Sequence, residues 1–210
     1  TNSKSSYRLY AKLEHCPDSQ MITNSTCNDT YNYTANSPDL EPKIFADVDI
    51  NIAQGKSVID ATAVSGTFLS YWIDGNINSS PYVDLGPSGG NPPCPTGPTY
   101  ARSITLDLLA TYTINKITLC HFYNPTRTYN SVIVQTSKDN STWTDVFNNN
   151  TDATFGQAVG TDATYSETSS GKTIIFSPRE AKYVRTWTRG STANCSNHHV
   201  EIKVYQYFEI

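Results

Sequence analysis

The chain has 210 residues, of which 16% are charged, and its formal net charge at pH 7 is -4. This length is enough to bury one hydrophobic core of ordinary size, so one main domain is expected. The sparse, slightly negative charge excludes a basic surface for nucleic acid, and no apolar run is long enough for membrane insertion.

The N-terminal segment is more polar than the rest of the chain. Residues 7–14 alternate between apolar and polar side chains and predict a strand. Residues 16–42 are dominated by Ser, Thr, Asn, Asp and Pro, a composition typical of loops. Cys16 and Cys27 both lie in this segment, and a bond between them would close a small loop where no core exists. We therefore predict a loop-rich, disulfide-containing extension over residues 1–43.

The remaining cysteines, Cys94, Cys120 and Cys195, leave their pairing open. Because the chain has five cysteines, one thiol is left over or bonds another chain. A bond between Cys94 and Cys195 would join two loops, but the sequence does not fix the connectivity. None of the cysteine spacings matches a zinc site.

Short strand signals recur from residue 44 onward, and long helical periodicity is absent. Gly- and Pro-rich turns separate the strands, as in antiparallel sandwiches and barrels. We therefore predict one all-β domain, an antiparallel β-sandwich, over residues 44–210. Its predicted strands are 44–50, 103–108, 114–122, 129–137, 142–147, 172–176, 183–188 and 200–208.

Hydrogen-bonding side chains gather beside two of these strands. His121 ends an apolar run and is followed by Arg127, while Asn197 and His198 directly precede the last strand. Such groups suit the directional hydroxyls of a sugar, although His121 satisfied by the backbone and a solvated Arg127 are the alternative. The acidic residues occur singly, without the spacing of a general acid and its nucleophile, so we expect no enzyme.

Six short segments follow, in order, the pattern of discoidin domains, the coagulation-factor C-type domains of the galactose-binding-like fold. The resemblance covers about residues 44–208 and implies a jelly-roll β-sandwich. Within this superfamily, the chain is most similar to family 32-like carbohydrate-binding modules and F-type lectins, through 121–123, 127–129, 165–172 and 197–201. The six segments are 51–56, 73–76, 104–108, 137–146, 181–185 and 200–205.

The resemblance implies a carbohydrate-binding site in the loops at the strand ends. Tyr123, Tyr129 or Trp72 would supply the aromatic platform for the apolar face of the sugar. The Arg-x-Asp that follows the histidine of F-type lectins is missing, which argues against fucose specificity, and galactose-type sugars are the leading expectation. The site residues carried over are His121, Tyr123, Arg127, Tyr129, Asn197 and His198.

The resemblance also implies one structural Ca²⁺ ion at the turn that begins with Asp74. Oxygen ligands on a tight glycine turn suit this hard cation, and the ligands carried over are Asp74, Asn76, Ser79 and Glu201. The alternative is an Asx turn in which Asp74 satisfies only its own loop.

Asn-x-Ser/Thr sequons indicate a glycosylated protein of the extracellular space or the cell surface. Together with the sugar site they predict a secreted or cell-surface lectin whose partners are glycans, with a role in adhesion. The alternative is a structural coat or filament subunit, in which strand 7–14 pairs with a neighbouring chain's sheet edge rather than with its own. The sequons expected to carry glycans are Asn24, Asn28, Asn32, Asn78, Asn140 and Asn149.

Overall fold

The computed structural model describes residues 49–61, 68–87 and 90–208, together with the backbone of two short strands, 8–10 and 34–36. The chain divides into two units, Thr1–Asp49 with Glu209–Ile210, and Ile50–Phe208. The predicted boundary at residues 43 and 44 falls outside the described residues.

In the smaller unit, β1 (Arg8–Tyr10) pairs antiparallel with β2 (Thr34–Asn36). Part of the predicted strand 7–14 therefore pairs within its own chain, and pairing with a neighbour stays a prediction. The predicted bond between Cys16 and Cys27, and the sequons at Asn24, Asn28 and Asn32, lie outside the described residues.

The larger unit is built on a seven-stranded antiparallel arrangement. Within the described ranges, no helix is long and apolar enough to span a bilayer. Short 3-10 turns occur at Leu69–Ile73 and Pro98–Tyr100. The strands are β3 (Ser57–Ala61), β4 (Val83–Asp84), β5 (Arg102–His121), β6 (Ile133–Ser137), β7 (Thr144–Asn148), β8 (Lys172–Thr188) and β9 (His198–Gln206).

Strands β5 and β8 run through both layers of the sandwich. Their pairing is interrupted between Asp107 and Tyr112, where Leu109 adopts a φ of 68°, and then resumes. Before this interruption β5 also pairs with β3, and after it with β9. One layer therefore contains β3, β6 and β7, the other contains β4 and β9, and β5 and β8 contribute one half to each. The predicted antiparallel β-sandwich is confirmed.

The core lies between the layers and follows the alternation of the strands. In β5, Ile104, Leu106 and Leu108 are fully buried in the first layer, and Ile117 and Leu119 in the second. Each buried side chain of this size contributes about 1.5–3 kcal/mol relative to an exposed one. These positions belong to the predicted strands, so the apolar pattern located the core correctly.

The strand boundaries differ from the predicted ones where the apolar pattern is weak. The predicted breaks within β5 and β8 are wrong, because backbone pairing continues on both sides of the bend. Strands β3 and β4 were not predicted, since β3 has a half-exposed pattern and β4 has only two residues. Predicted strand 44–50 lies mostly outside the described residues, but the Ile50 carbonyl accepts a 3.2 Å hydrogen bond from the Gln206 amide.

A disulfide bond joins Cys94 to Cys195 and settles the pairing that the sequence left open. Cys120 is a buried free thiol. The backbone passes close to this bond at Gly190, whose φ is 63°, and a Cβ there would lie 2.7 Å from the Cα of Cys195. Only glycine therefore fits this position without a shift of the backbone.

Candidate functional site

The predicted sugar-binding residues converge at one end of the sandwich, where β5 ends and β9 begins. His121 lies opposite His199 in the neighbouring strand, after a register shift in which β9 has one extra residue, Val200. On the other side of β9, Asp84 of β4 lies opposite His198. The convergence inferred from the sequence is therefore present, but most of these side chains lie beneath the surface.

His121 is fully buried at the base of this end. Its Nδ1 lies 2.7 Å from Oε1 of Glu167, which is also buried. The imidazole stacks on Tyr129, with ring centroids 4.5 Å apart, and meets the His199 ring edge-on at 4.7 Å. These contacts fix the ring on the core side of the sheet, where it supports the loops from below.

Tyr129 and Arg127 are also buried rather than displayed. Burial raises the pKa of the Tyr129 phenol well above its ordinary value. The Arg127 Nε and Nη2 donate 3.3 Å hydrogen bonds to the carbonyls of Pro125 and Asn124, and the guanidinium lies 4.7 Å from the Phe122 ring centroid. Arg127 is therefore not a solvated turn residue, and it holds its loop against Phe122.

Asn197 is fully buried, and its amide group is used within the protein. Its Oδ1 accepts 2.7 Å hydrogen bonds from the Thr188 hydroxyl and the Gly190 amide. Its Nδ2 donates to the carbonyls of Gly86 and Tyr100. The predicted sugar contact from Asn197 is therefore replaced by a structural role, because no amide position faces solvent or remains open to a ligand.

Tyr82, Phe122 and Asp84 are half-buried at this end, and the His198 ring, which is only 8% exposed, packs against them. The rings of Tyr82 and Phe122 are half-buried, with centroids 5.1 Å apart. The His198 ring lies 4.6 Å from the Tyr82 ring, and its Nε2 lies 3.6 Å from Oδ2 of Asp84. We call Tyr82, Asp84, Phe122 and His198 the loop-end surface.

Asp84 is an acceptor on this surface. Partial burial alone would raise the pKa of its carboxyl, but hydrogen bonding and the charge of His198, with the Gly86 amide, lower it overall. The carboxylate is therefore the stable form. Sequence analysis missed Tyr82 and Asp84 because the two-residue strand beside which they lie gives no strand signal.

The three aromatic residues proposed as a sugar platform occupy different environments. Tyr123 is half-exposed and directly follows Phe122. Tyr129 is buried under His121, and Trp72 is fully buried in the core, with its ring centroid 6.0 Å from that of His199. Neither buried ring can stack on a ligand in this conformation, so Tyr123 alone of the three reaches the surface.

A buried polar cluster lies beneath the loop-end surface. Burial, with the like charges of His121 and His198, lowers the pKa of His199 well below its ordinary value, so its ring is neutral at pH 7. Burial and the Glu167 carboxylate raise the pKa of Tyr165. Within the described residues, two buried imidazole nitrogens of this cluster have no hydrogen-bond partner, namely His121 Nε2 and His199 Nδ1.

The turn at Asp74 lies against the outer side of β9. Asp74 Oδ1 accepts a 2.8 Å hydrogen bond from the Asn76 amide, which forms the Asx turn that the sequence left as the alternative to a calcium site. The Gly75 amide donates to Oε2 of Glu201 at 3.1 Å, so the turn and the last strand do meet. Asn76 in turn accepts a 2.9 Å hydrogen bond from the Asn78 amide.

Glu201 of β9 is the buried carboxylate that contacts this turn. Burial, with a contribution from the Asp74 carboxylate, raises the pKa of Glu201 to about 8. Its Oε1 is buried and has no hydrogen-bond partner among the described residues. No group of three or more His, Cys, Asp or Glu side chains in that part of the chain is arranged to hold a metal. A calcium site here would therefore need oxygens from Asn76, Ser79 or the backbone beside the two carboxylates.

The family model for the F5/8 type C domain matches residues 59–202. The chain belongs to the F5/8 type C family. This confirms the discoidin resemblance, and the match covers all the strands of the sandwich except the start of β3 and the end of β9. Both the loop-end surface and the Asp74 turn lie within the matched residues.

Solved structures share the fold of this F5/8 type C domain. CBM32-1 from a family 31 glycoside hydrolase of Clostridium perfringens has a TM-score of 0.54 at 21% identity, covering 76% of this chain and 100% of that one. Chitosan-binding module 1 from a chitosanase/glucanase of Paenibacillus sp. IK-5 has a TM-score of 0.50 at 21% identity, covering 74% and 98%.

The fold also occurs as one part of a larger enzyme. A family 89 glycoside hydrolase of Clostridium perfringens, in complex with 2-acetamido-1,2-dideoxynojirmycin, has a TM-score of 0.53 at 18% identity. The alignment covers 75% of this chain but only 14% of the hydrolase chain. At these identities the likeness shows the fold. No curated protein matches the chain in sequence.

The predicted glycosylation sites of the F5/8 type C domain differ in exposure. Asn78 and Asn140 are exposed, as a sequon requires. Asn149 is buried, and its Oδ1 accepts a 2.7 Å hydrogen bond from the Val132 amide. A glycan on the buried Nδ2 is incompatible with this fold, so the prediction for Asn149 is corrected.

Proposed function

We propose that this F5/8 type C domain is a non-catalytic glycan-binding module. The observation that carries the proposal is the loop-end surface, where half-buried Tyr82 and Phe122 lie beside the His198–Asp84 pair. A pyranose ring has an apolar face and a set of hydroxyls, which aromatic rings and a donor–acceptor pair complement. The chitosan-binding module and CBM32-1, which share the fold, support saccharides as the ligand class.

The buried residues support the site in this proposal. Arg127 packs on Phe122, and the His121–Glu167 pair lies under the ends of the strands. Tyr123 extends the aromatic surface, and galactose-type sugars remain our first choice of ligand. The Cys94–Cys195 bond, which persists in oxidising compartments, supports an extracellular or cell-surface location.

The test is a titration of terminal galactosides by calorimetry, preceded by a glycan array to choose the ligand. We expect Tyr82→Ala and His198→Ala each to weaken binding about tenfold or more, equivalent to about 1.4 kcal/mol, because stacking and a donor are lost. Phe208→Ala is the matched control, because Phe208 is half-exposed beyond the opposite end of β9. Binding that is unchanged in both loop-end variants would rule out this surface.

We also propose that the domain binds one structural Ca²⁺ through Asp74 and Glu201, with Asn76 and Ser79 beside them. A bound cation would neutralise the negative charges of the Asp74 and Glu201 carboxylates. It would also give the buried Oε1 of Glu201 a partner. Without the ion, the folded state holds a proton on Glu201 up to about pH 8, whereas the ordinary value is 4.5. The free energy of unfolding therefore falls as pH rises from about 4.5 to 8.

Calcium should reverse this loss, because it binds the deprotonated carboxylate. At pH 8, calcium at 100 times its dissociation constant should stabilise the fold by roughly 2–3 kcal/mol over chelator, with a smaller difference at pH 5. Thermal melts at the two pH values measure this. Glu201→Gln should remove both the calcium effect and this part of the pH dependence. Coincident melts of the wild-type chain at pH 8, after exhaustive metal removal, would count against the ion.

A further inference from the structure

A cavity of about 360 Å³ opens on the outer face of the layer that contains β3, at the edge formed by the start of β5 and the end of β8. The cavity is shallow and broadly open to solvent. The cavity shares no residue with the loop-end surface. It is lined by Asp60, Ala61, Ala101, Arg102, Ser103 and Trp187.

The Trp187 indole is held in place on this face by a network of hydrogen bonds. Its Nε1 donates a 3.0 Å hydrogen bond to Oε1 of Gln135, which also accepts 2.9 Å from Nε of Arg185. Gln135 in turn donates 2.8 Å to Asp145. The guanidinium of Arg185 lies 3.9 Å from the Trp143 ring centroid. A ring fixed before binding loses little freedom when a ligand stacks on it.

Polar groups of both signs flank this ring. Asp60 is exposed, and the strand pairings place it in one row with Thr105 and Arg185 across three strands. Nη1 of Arg102 donates to the carbonyls of Thr99 and Ala101 at 2.9 and 2.7 Å, which holds the guanidinium at the rim while using one of its three nitrogens. The cavity therefore offers a carboxylate acceptor, a guanidinium donor and an aromatic wall.

We propose that this cavity is a second ligand site, separate from the loop-end surface, and that it binds a neutral saccharide. A hydroxyl donates to a carboxylate and accepts from a guanidinium, so a polyhydroxylated ligand satisfies Asp60 and Arg102 together. Because Asp60 and Arg102 carry opposite charges, a simple anion or a simple cation is attracted by one of them and repelled by the other. The apolar face of a pyranose complements the Trp187 indole.

The test uses tryptophan emission of the full chain, titrated with lactose, cellobiose and N,N′-diacetylchitobiose, and with digalacturonate as a charged comparator. Trp143 and Trp187 lie on the outer face, whereas Trp72 is buried in the core. We expect a saturable emission change with at least one neutral disaccharide. The change should persist in His198→Ala, and digalacturonate should bind more weakly.

Asp60→Asn and Arg102→Gln should each weaken this response at least tenfold. Glu180→Gln is the matched control, an exposed carboxylate on β8 that pairs with Lys138 at 2.6 Å. Near-UV circular dichroism establishes that each variant is folded. If Asp60→Asn does not fold, the response of Arg102→Gln alone tests whether the cavity binds the ligand.

Three results would overturn the second site: no saturable change with any neutral disaccharide, loss of the change in His198→Ala, or wild-type binding in the folded Asp60 and Arg102 variants. Loss of galactoside binding in His198→Ala with the emission response intact supports both sites. The experiment can therefore reject the loop-end site while the second site is retained.

Discussion

The loop end and the outer sheet face of this F5/8 type C domain use similar side chains in opposite ways. At the loop end, His121, Tyr129 and Asn197 face inward and support the strands from below. On the outer face, Arg185 and Trp187 of β8 point away from the core, and Trp187 lines the open cavity. The comparison shows that nearness to a loop does not by itself expose a polar side chain.

The largest loss of stability is expected from a substitution at the loop end. Asn197→Ala removes an amide that makes four hydrogen bonds and leaves the Gly190 amide and the Gly86 and Tyr100 carbonyls without their partner. We expect a loss of about 3 kcal/mol or more in the free energy of unfolding, measured by urea denaturation with the disulfide intact. Asn91→Ala is the control, because Asn91 is exposed near the same end.

A stability change below about 0.5 kcal/mol in Asn197→Ala, combined with a loss of galactoside binding, would restore Asn197 to the role of ligand contact. The loop end would then resemble the outer face, with polar groups available to sugar, and the contrast between the two regions would disappear.

The smallest loss of stability is expected from a substitution on the outer face. Arg185→Lys keeps the charge but removes the planar stack on Trp143 and the Nε bond to Gln135. We expect a loss of about 1–2 kcal/mol of stability, because a lysine ammonium does not reproduce this geometry. Lys182→Arg, at a half-exposed position on the same strand, should change stability little. Equal stability of Arg185→Lys and wild type would show that the stack does not order this face.

Much of the fold was predictable because apolar alternation marks the inner face of each long strand. The same alternation also indicates the burial of His121, which is two residues after Leu119 and four after Ile117. Its place at a strand end instead suggested a sugar contact, whereas the side chain is fully buried and pairs with Glu167. His199 differs, because its inward position depends on the register shift between Cys120 and His121, which no local pattern reveals.

The outer face was not predictable from the sequence for a similar reason. Alternation identifies Arg185 and Trp187 only as outward-facing, which is typical of a solvated surface. The stack of Arg185 on Trp143 and the hydrogen bonds of Arg185 and Trp187 to Gln135 depend on which strands are neighbours. Pairing between β6 and β8 joins segments far apart in the chain, and the sequence does not encode that register locally.

The Cys94–Cys195 bond also acts on the unfolded chain. It closes a loop over a sequence separation of 101 residues, which contains β5, β6, β7 and β8. In the chain-entropy model, such a loop restricts the unfolded ensemble by about 4–5 kcal/mol. The bond therefore stabilises most of the sandwich through states that are never seen in the folded structure, although its two sulfur atoms lie at one end of the molecule.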